Sequence, residues 1–157
     1  MIMKKEQFCQ KVREQELSMY RYALGILRNS ADAEDAVGET VLRAYDHLKQ
    51  LKDPACFRSW IMSILVNVTK NILSGRKRLE LPGDMNQYEQ GTCGEKNELW
   101  YAVMELPHDF RHAVILYYYE GFRTREIAQM LEISEGTVKS RLNRARQKLK
   151  TALEGLY

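Results

Sequence analysis

Apolar positions recur along this chain with helical rather than alternating spacing. Phe8, Val12, Leu17, Tyr20, Ala23, Leu24 and Leu27 define one face of a first helix, or of two closely joined ones. Asn29-Ser30 breaks it, and Asp32 is expected to open a second helix with Glu34 and Asp35 in its first turn, where the helix dipole favours anions. The apolar stripe expected on that helix is Val37, Val41, Ala44, Tyr45 and Leu48. Asp35, Gly38, Glu39 and Arg43 fall off the stripe and form a solvent-facing side with Glu34. Asp53-Pro54 breaks the chain again. Phe57, Trp60, Ile61, Ile64, Leu65, Val68 and Ile72 then predict a long third helix, which runs out in Arg76, Lys77 and Arg78. The helical spacing of Phe57 and Trp60 points to core packing rather than base stacking.

The pattern then lapses. From Leu81 to Gly94 there is no apolar periodicity, and three Gly, one Pro and several amides stand there instead. Such a stretch reads as a linker, because a long structureless loop is uncommon inside one compact domain. Periodicity resumes with Leu99, Val103 and Leu106, followed by Pro107, and again with Phe110, Val114, Ile115 and Tyr118. Gly121 is placed to end that helix in a left-handed conformation. A short helix capped by Thr124 buries Ile127, Ala128 and Leu131. After a tight turn at Glu132-Ile133, Ser134 caps a last helix with the stripe Val138, Leu142, Ala145 and Leu149. The fold expected is all-α. It has two small helical domains, residues 1–80 and 99–157, joined by a flexible acidic linker, 81–98, with a helix-turn-helix in the second domain.

Charge sharpens this division. The whole chain of 157 residues carries only +3, but residues 1–80 hold 14 basic and 10 acidic side chains, the linker 1 and 4, and residues 99–157 hold 9 and 7. Within residues 139–150, Lys139, Arg141, Arg144, Arg146, Lys148 and Lys150 occur without an acid. A strongly cationic second helix after a short turn is the pattern of a DNA-reading motif, in which the N-terminal residues of that helix face base edges in the major groove. Those residues are Glu135, Gly136, Thr137, Lys139, Ser140, Arg141, Asn143 and Arg144. Arg146, Lys148 and Lys150 lie further along and are expected at the DNA backbone or in solvent. At the end of the third helix, Arg76, Lys77 and Arg78 either offset the helix dipole or contact phosphates.

Other classes find little support. No Gly-rich phosphate loop, paired carboxylates in an apolar setting or nucleophile–base constellation is present. His108 and His112 have the spacing of two metal ligands, but no third ligand is visible nearby, so neither metal nor cofactor is expected. Cys9, Cys56 and Cys93 are few and far apart, which argues against a disulfide framework. No run approaches the ~18 apolar residues of a membrane span. The N-terminus lacks the apolar core of a signal peptide, so a cytoplasmic protein without direct membrane insertion is expected.

The run Asp32-Ala33-Glu34-Asp35-Ala36-Val37-Gly38-Glu39-Thr40 resembles the core-binding helix of region two of bacterial extracytoplasmic-function (ECF) sigma factors. Phe57-Arg58-Ser59-Trp60-Ile61, with Ile64, Asn67, Asn71 and Arg76 to Arg78, resembles the promoter-melting part of the same region. Leu106-Pro107, Thr124-Arg125-Glu126-Ile127-Ala128 and Gly136-Thr137-Val138-Lys139-Ser140-Arg141 resemble region four. The resemblance implies a non-catalytic specificity subunit of RNA polymerase that directs the core enzyme to promoters. Asp35, Gly38, Glu39 and Arg43 would dock on core, although the family pattern carries Gln at the position of Gly38. Arg58, Asn67, Asn71, Arg76, Lys77 and Arg78 would meet the minus-ten element, and the N-terminal half of the last helix the minus-thirty-five element. The linker would thread the polymerase towards the RNA exit path. An anti-sigma factor is the further partner implied. The alternative is a stand-alone regulator using only the helix-turn-helix, against which the first domain argues by lacking strands and a phospho-acceptor Asp at a strand end.

Overall fold

The structure is a computed structural model that describes residues 3–78 and 98–155, with only the backbone of Lys77 and Arg78. The chain divides into two compact units, Met1–Tyr88 and Glu89–Tyr157, and the described residues of both are helical. The expected linker lies outside the described residues except for Glu98, which opens a helix.

Three helices build the first unit: α1 (Lys5–Leu27), α2 (Ser30–Asp46) and α3 (Phe57–Arg78). Each packs on the other two. The first helix is one continuous rod of 23 residues that ends where Arg28 turns left-handed, at φ 58°. Asn29, not Asp32, caps α2, and its side chain accepts from the Asp32 backbone N–H at 3.0 Å.

The buried face of α2 differs from the expected stripe. Ala33, Ala36, Thr40 and Ala44 are buried, whereas Val37 and Val41 are half-buried and Tyr45 is 49% exposed. The cause is steric. A helix that touches both neighbours in so small a unit turns its small side chains inward so that the axes can approach, and its larger ones settle at the flanks. Thr40 is fully buried and satisfies its hydroxyl locally, donating to the Ala36 carbonyl at 2.7 Å. Likewise Met19 and Tyr22 of α1 are buried, while Leu17, expected inside, is 61% exposed.

Asp53 begins the approach to α3. Its carboxylate accepts from the Ala55 N–H at 3.0 Å and caps a 3₁₀ turn, Pro54–Cys56, that feeds directly into the helix. Phe57 is buried between Phe8 and Trp60, with ring centroids 5.9 and 6.0 Å away. Ile61, Met62, Leu65, Val66, Val68 and Thr69 are buried as well, a wider band than one stripe because two helices cover α3.

The second unit is α4 (Glu98–Met104), α5 (His108–Val114), α6 (Thr124–Leu131) and α7 (Glu135–Glu154). Helix α5 continues into a wide π turn, Ile115–Tyr119, in which the Glu120 N–H reaches the Ile115 carbonyl at 3.0 Å. Gly121 then takes φ 74°, the left-handed conformation expected of it. Helix α7 packs against α4, α5 and α6. Its stripe Val138, Leu142, Ala145 and Leu149 is buried, as are Val103, Val114, Ile115, Leu116, Phe122, Ile127 and Leu131 of the same unit.

Arg111 and His112 are buried in this unit. Arg111 donates to the Met104 carbonyl at 3.0 Å, tying the end of α4 to α5, and lies 3.0 Å from His108 Nδ1. Arginine only donates, so His108 accepts at Nδ1, carries its proton on Nε2 and donates it to His112 Nε2, 3.2 Å away. The two histidines thus serve one another. Among the described residues no group of three or more His, Cys, Asp or Glu gathers as metal ligands would.

Candidate nucleic-acid and partner interfaces

The outer face of α2 follows from its buried one. With Ala33, Ala36, Thr40 and Ala44 inward, Asp35, Gly38 and Glu39 stand exposed, and Arg43 is half-exposed. Arg43 is held along the helix by Glu39, Nη2 to Oε1 at 2.6 Å, a four-residue pair in water. A Cβ at Gly38 would meet nothing within 4 Å, so the position is open. Beside these polar residues lies Leu42, 69% exposed. The pattern reading left Leu42 out, although a large apolar residue off the stripe and among acids is visible in the sequence.

On α3, Asn67 and Asn71 are exposed one turn apart, and Arg58 is half-buried near the start of the helix. The expected cationic end is divided. Arg76 points back into its own unit, where Nη1 donates to the Leu27 carbonyl at 3.0 Å and Nη2 pairs with the Asp32 carboxylate. One guanidinium thereby satisfies an orphan carbonyl at the end of α1 and a carboxylate at the start of α2. The side chains of Lys77 and Arg78 lie outside the described residues.

In the second unit, α6 and α7 are joined by a three-residue turn, Glu132 to Ser134, with Glu132 at φ 57°. The Ser134 hydroxyl accepts from the Thr137 N–H at 3.1 Å and caps α7 as expected. Arg123 rather than Thr124 precedes α6, and its N–H is taken by Glu126 Oε1 at 3.0 Å. The Thr124 hydroxyl is used elsewhere: it donates to Glu135 Oε1 across the turn, at 2.9 Å. Lys139 Nζ lies 3.7 Å from that same oxygen. The Thr124 hydrogen bond and then the Lys139 charge hold the Glu135 carboxyl below the ordinary glutamate range.

Along the outer face of α7, Glu135, Gly136, Lys139, Ser140, Asn143 and Arg144 are exposed, with Thr137 half-buried. Arg141, also half-buried, leans towards Asp109 of α5 at 3.9 Å. The eight expected residues therefore share one helix, opening with Glu135, Gly136 and Thr137 and carrying its cations from Lys139 onward. Twenty residues make α7 about 30 Å long, so its far end extends well past a groove-reading segment. There Arg146 contacts the hydroxyl and ring of Tyr118. Leu99 and Tyr118, both expected inside, are exposed because they line an apolar groove of about 430 Å³ together with Val103, Val114 and Leu149.

The described residues thus make two helical units, the first with an acidic outer face on α2 and the second with a cationic outer face on α7. Comparisons specify the class. Residues 12–79 match the family model of Sigma-70 region 2, and residues 96–149 that of Sigma-70, region 4. The chain is 34% identical over 148 residues to the ECF RNA polymerase sigma factor SigL of Mycobacterium tuberculosis, covering 88% of this chain and 84% of SigL. It is 32% identical over 145 residues to the probable RNA polymerase sigma factor RfaY of Xanthomonas campestris pv. campestris, covering 83% of this chain but 36% of that longer protein. Among solved structures, the sigma factor RpoE in complex with the anti-sigma factor NepR from Bartonella quintana matches with a TM-score of 0.74 at 25% identity, covering 90% of this chain and 95% of that one. CnrH in complex with the cytosolic domain of CnrY matches with a TM-score of 0.69 at 25% identity, covering 97% and 90%. The chain belongs to the ECF RNA polymerase sigma factor family.

Proposed function

We infer that this protein is a promoter-specificity subunit: it joins core RNA polymerase and directs it to particular promoters for transcription initiation. The observation that carries this reading is the succession, in one chain, of region 2 and region 4. The exposed face of α2, with Asp35, Gly38, Glu39, Arg43 and Leu42, meets core. Arg58, Asn67 and Asn71 of α3 meet the minus-ten element. Arg76 has no part in that contact, since its guanidinium is engaged within the unit. The outer face of α7, from Glu135 to Arg144, reads the minus-thirty-five element. The protein supplies no chemistry of its own, because the polymerase performs it, and it works in the cytoplasm where promoters are. An anti-sigma factor holds it inactive, a reading supported by the structural neighbour solved in complex with one.

Each DNA contact alone is weak, and core makes them strong by holding both units on one promoter, which raises the effective concentration of each for its element. The test combines the purified chain with core RNA polymerase and measures association and promoter-dependent transcripts. Asp35→Arg is expected to abolish association while leaving duplex binding by α7 intact. Retained specific DNA binding without association by the wild-type chain would replace this reading with that of a stand-alone regulator.

A further inference from the structure

We propose that Glu135 reads a cytosine in the minus-thirty-five element and that Thr124 is the positioning residue that aims it. The proposal rests on promoter reading by α7 and adds which base that reading demands. Glu135 is the first residue of α7, at the end that enters the major groove when such a helix docks. An acid at this point is costly beside DNA phosphates, and a dipole partner for the helix requires no second helix to hold it. Here a second helix does hold it. The Thr124 hydroxyl of α6 donates to Oε1 at 2.9 Å, and Lys139 approaches that oxygen at 3.7 Å. Among the described residues Oε2 receives no hydrogen bond, and the side chain is 44% exposed. One oxygen is thus anchored, and on this part-exposed side chain the other remains to accept a hydrogen bond. The charges of Lys139 and Arg125 offset the repulsion between this carboxylate and the phosphates.

The chemistry of the remaining oxygen selects the base. An ionised carboxylate only accepts hydrogen bonds. In the major groove guanine shows N7 and O6, and thymine shows O4 and a methyl group, so neither offers it a donor. Adenine offers its N6 amino group beside the N7 acceptor, whose lone pair repels the negative carboxylate and suits an amide instead. Cytosine offers its N4 amino group without an N7 acceptor, and is the base a carboxylate accepts from.

The test is selection with the reconstituted holoenzyme. The full chain on core RNA polymerase is challenged with promoter duplexes randomised across the upstream element, and retained DNA is sequenced. Wild type is expected to enrich cytosine at one position by about 5- to 150-fold over the other bases. Glu135→Gln should move that position towards adenine and leave the others unchanged. Thr124→Val keeps the shape, removes the hydroxyl, and should weaken the preference at that same position alone. Unchanged preferences in both variants would make Glu135 a dipole partner only and overturn the proposal. A uniform loss at every position, with unaltered thermal unfolding, would assign it to orienting α7 as a whole and overturn it equally. If the wild-type holoenzyme enriches no upstream sequence, promoter reading by α7 itself fails, a result separate from any variant, and the proposal falls with it.

Discussion

Replacing Arg76 by Ala separates a structural cation from a DNA-binding one. In the folded protein its guanidinium donates to the Leu27 carbonyl at 3.0 Å and pairs with Asp32, with 22% of the Arg76 side chain exposed and 35% of the Asp32 side chain. A hydrogen bond from a charged donor contributes about 1.5–3 kcal/mol, and partial exposure places the carbonyl bond at the low end. A half-exposed ion pair adds about 1 kcal/mol at most. Arg76→Ala should therefore cost the first unit about 2 kcal/mol. For a unit of this size, with a urea dependence near 1 kcal/mol per molar, the unfolding midpoint falls by about 2 M. The two units need not unfold together, so the assay needs a local probe. Trp60 lies on α3 and Trp100 on α4, and a Trp100→Phe background leaves a fluorophore in the first unit alone. Arg76→Lys should fall between, because a lysine keeps the charge but cannot bridge both partners with one planar fork. DNA binding supplies the opposite readout. A phosphate contact would reduce the salt dependence of binding by about one unit of slope, whereas an internally committed arginine leaves it unchanged. An unaltered urea midpoint combined with a reduced salt slope would refute the latch and return Arg76 to the DNA surface.

Four further outcomes follow from the same geometry. Gly38→Ala should raise the first unit's stability by about 1 kcal/mol in the same urea assay, since the site is helical and a Cβ there meets nothing within 4 Å. Carboxyl NMR titration should find Glu135 below the usual glutamate range, and Thr124→Val should move it back up. Because this folded-state value is depressed, any stability the carboxylate contributes is present above its unfolded-state value and lost as pH falls through the folded one. Asp109→Asn releases Arg141 from a partner 3.9 Å away and should raise duplex affinity about two- to fivefold at low salt, measured by fluorescence anisotropy. Leu142→Ala opens a hole under the middle of α7 and should destabilise the second unit by about 2–5 kcal/mol, read from Trp100 fluorescence in a Trp60→Phe background.

How legible these features were in the sequence depends on how far their causes extend along the chain. Helix α7 packs by one face, so its apolar period reports burial directly, and Val138, Leu142, Ala145 and Leu149 are where the spacing put them. Helix α2 touches both neighbours, and there side-chain size misleads. The close approach selects Ala33, Ala36 and Ala44, while the bulkier Tyr45 rests against Phe8 at 5.5 Å between ring centroids and stays half outside. Arg76 read as a helix-end cation because its partners, Leu27 and Asp32, stand 49 and 44 residues away and no local pattern connects them. The pairing of Thr124 with Glu135 spans 11 residues and the whole of α6. It needed the turn at Glu132 before either residue could be given its role.

The assignment of charge to surfaces constrains how the first unit can work in the proposed function. The outer face of α2 presents Asp35 and Glu39, and the cation on that face, Arg43, is paired along the helix with Glu39. Such a face repels phosphates, which suits the proposed protein partner better than DNA. The outward polar residues of α3, Asn67 and Asn71, are neutral amides, groups that hydrogen-bond bases more readily than they attract a duplex from a distance. These described outward groups of α2 and α3 offer little long-range pull on double-stranded DNA, and any such pull from this unit comes from its other cations, 14 basic against 10 acidic side chains over residues 1–80. In the proposed function, Asn67 and Asn71 would discriminate bases delivered to them after another protein has brought the unit to the promoter. The strong cationic run belongs to α7, which suits the opposite task of finding an intact duplex and reading its groove. Removing the α7 cations should therefore weaken initial promoter capture, whereas Asn67→Ala and Asn71→Ala should leave capture intact and slow the later opening of the duplex.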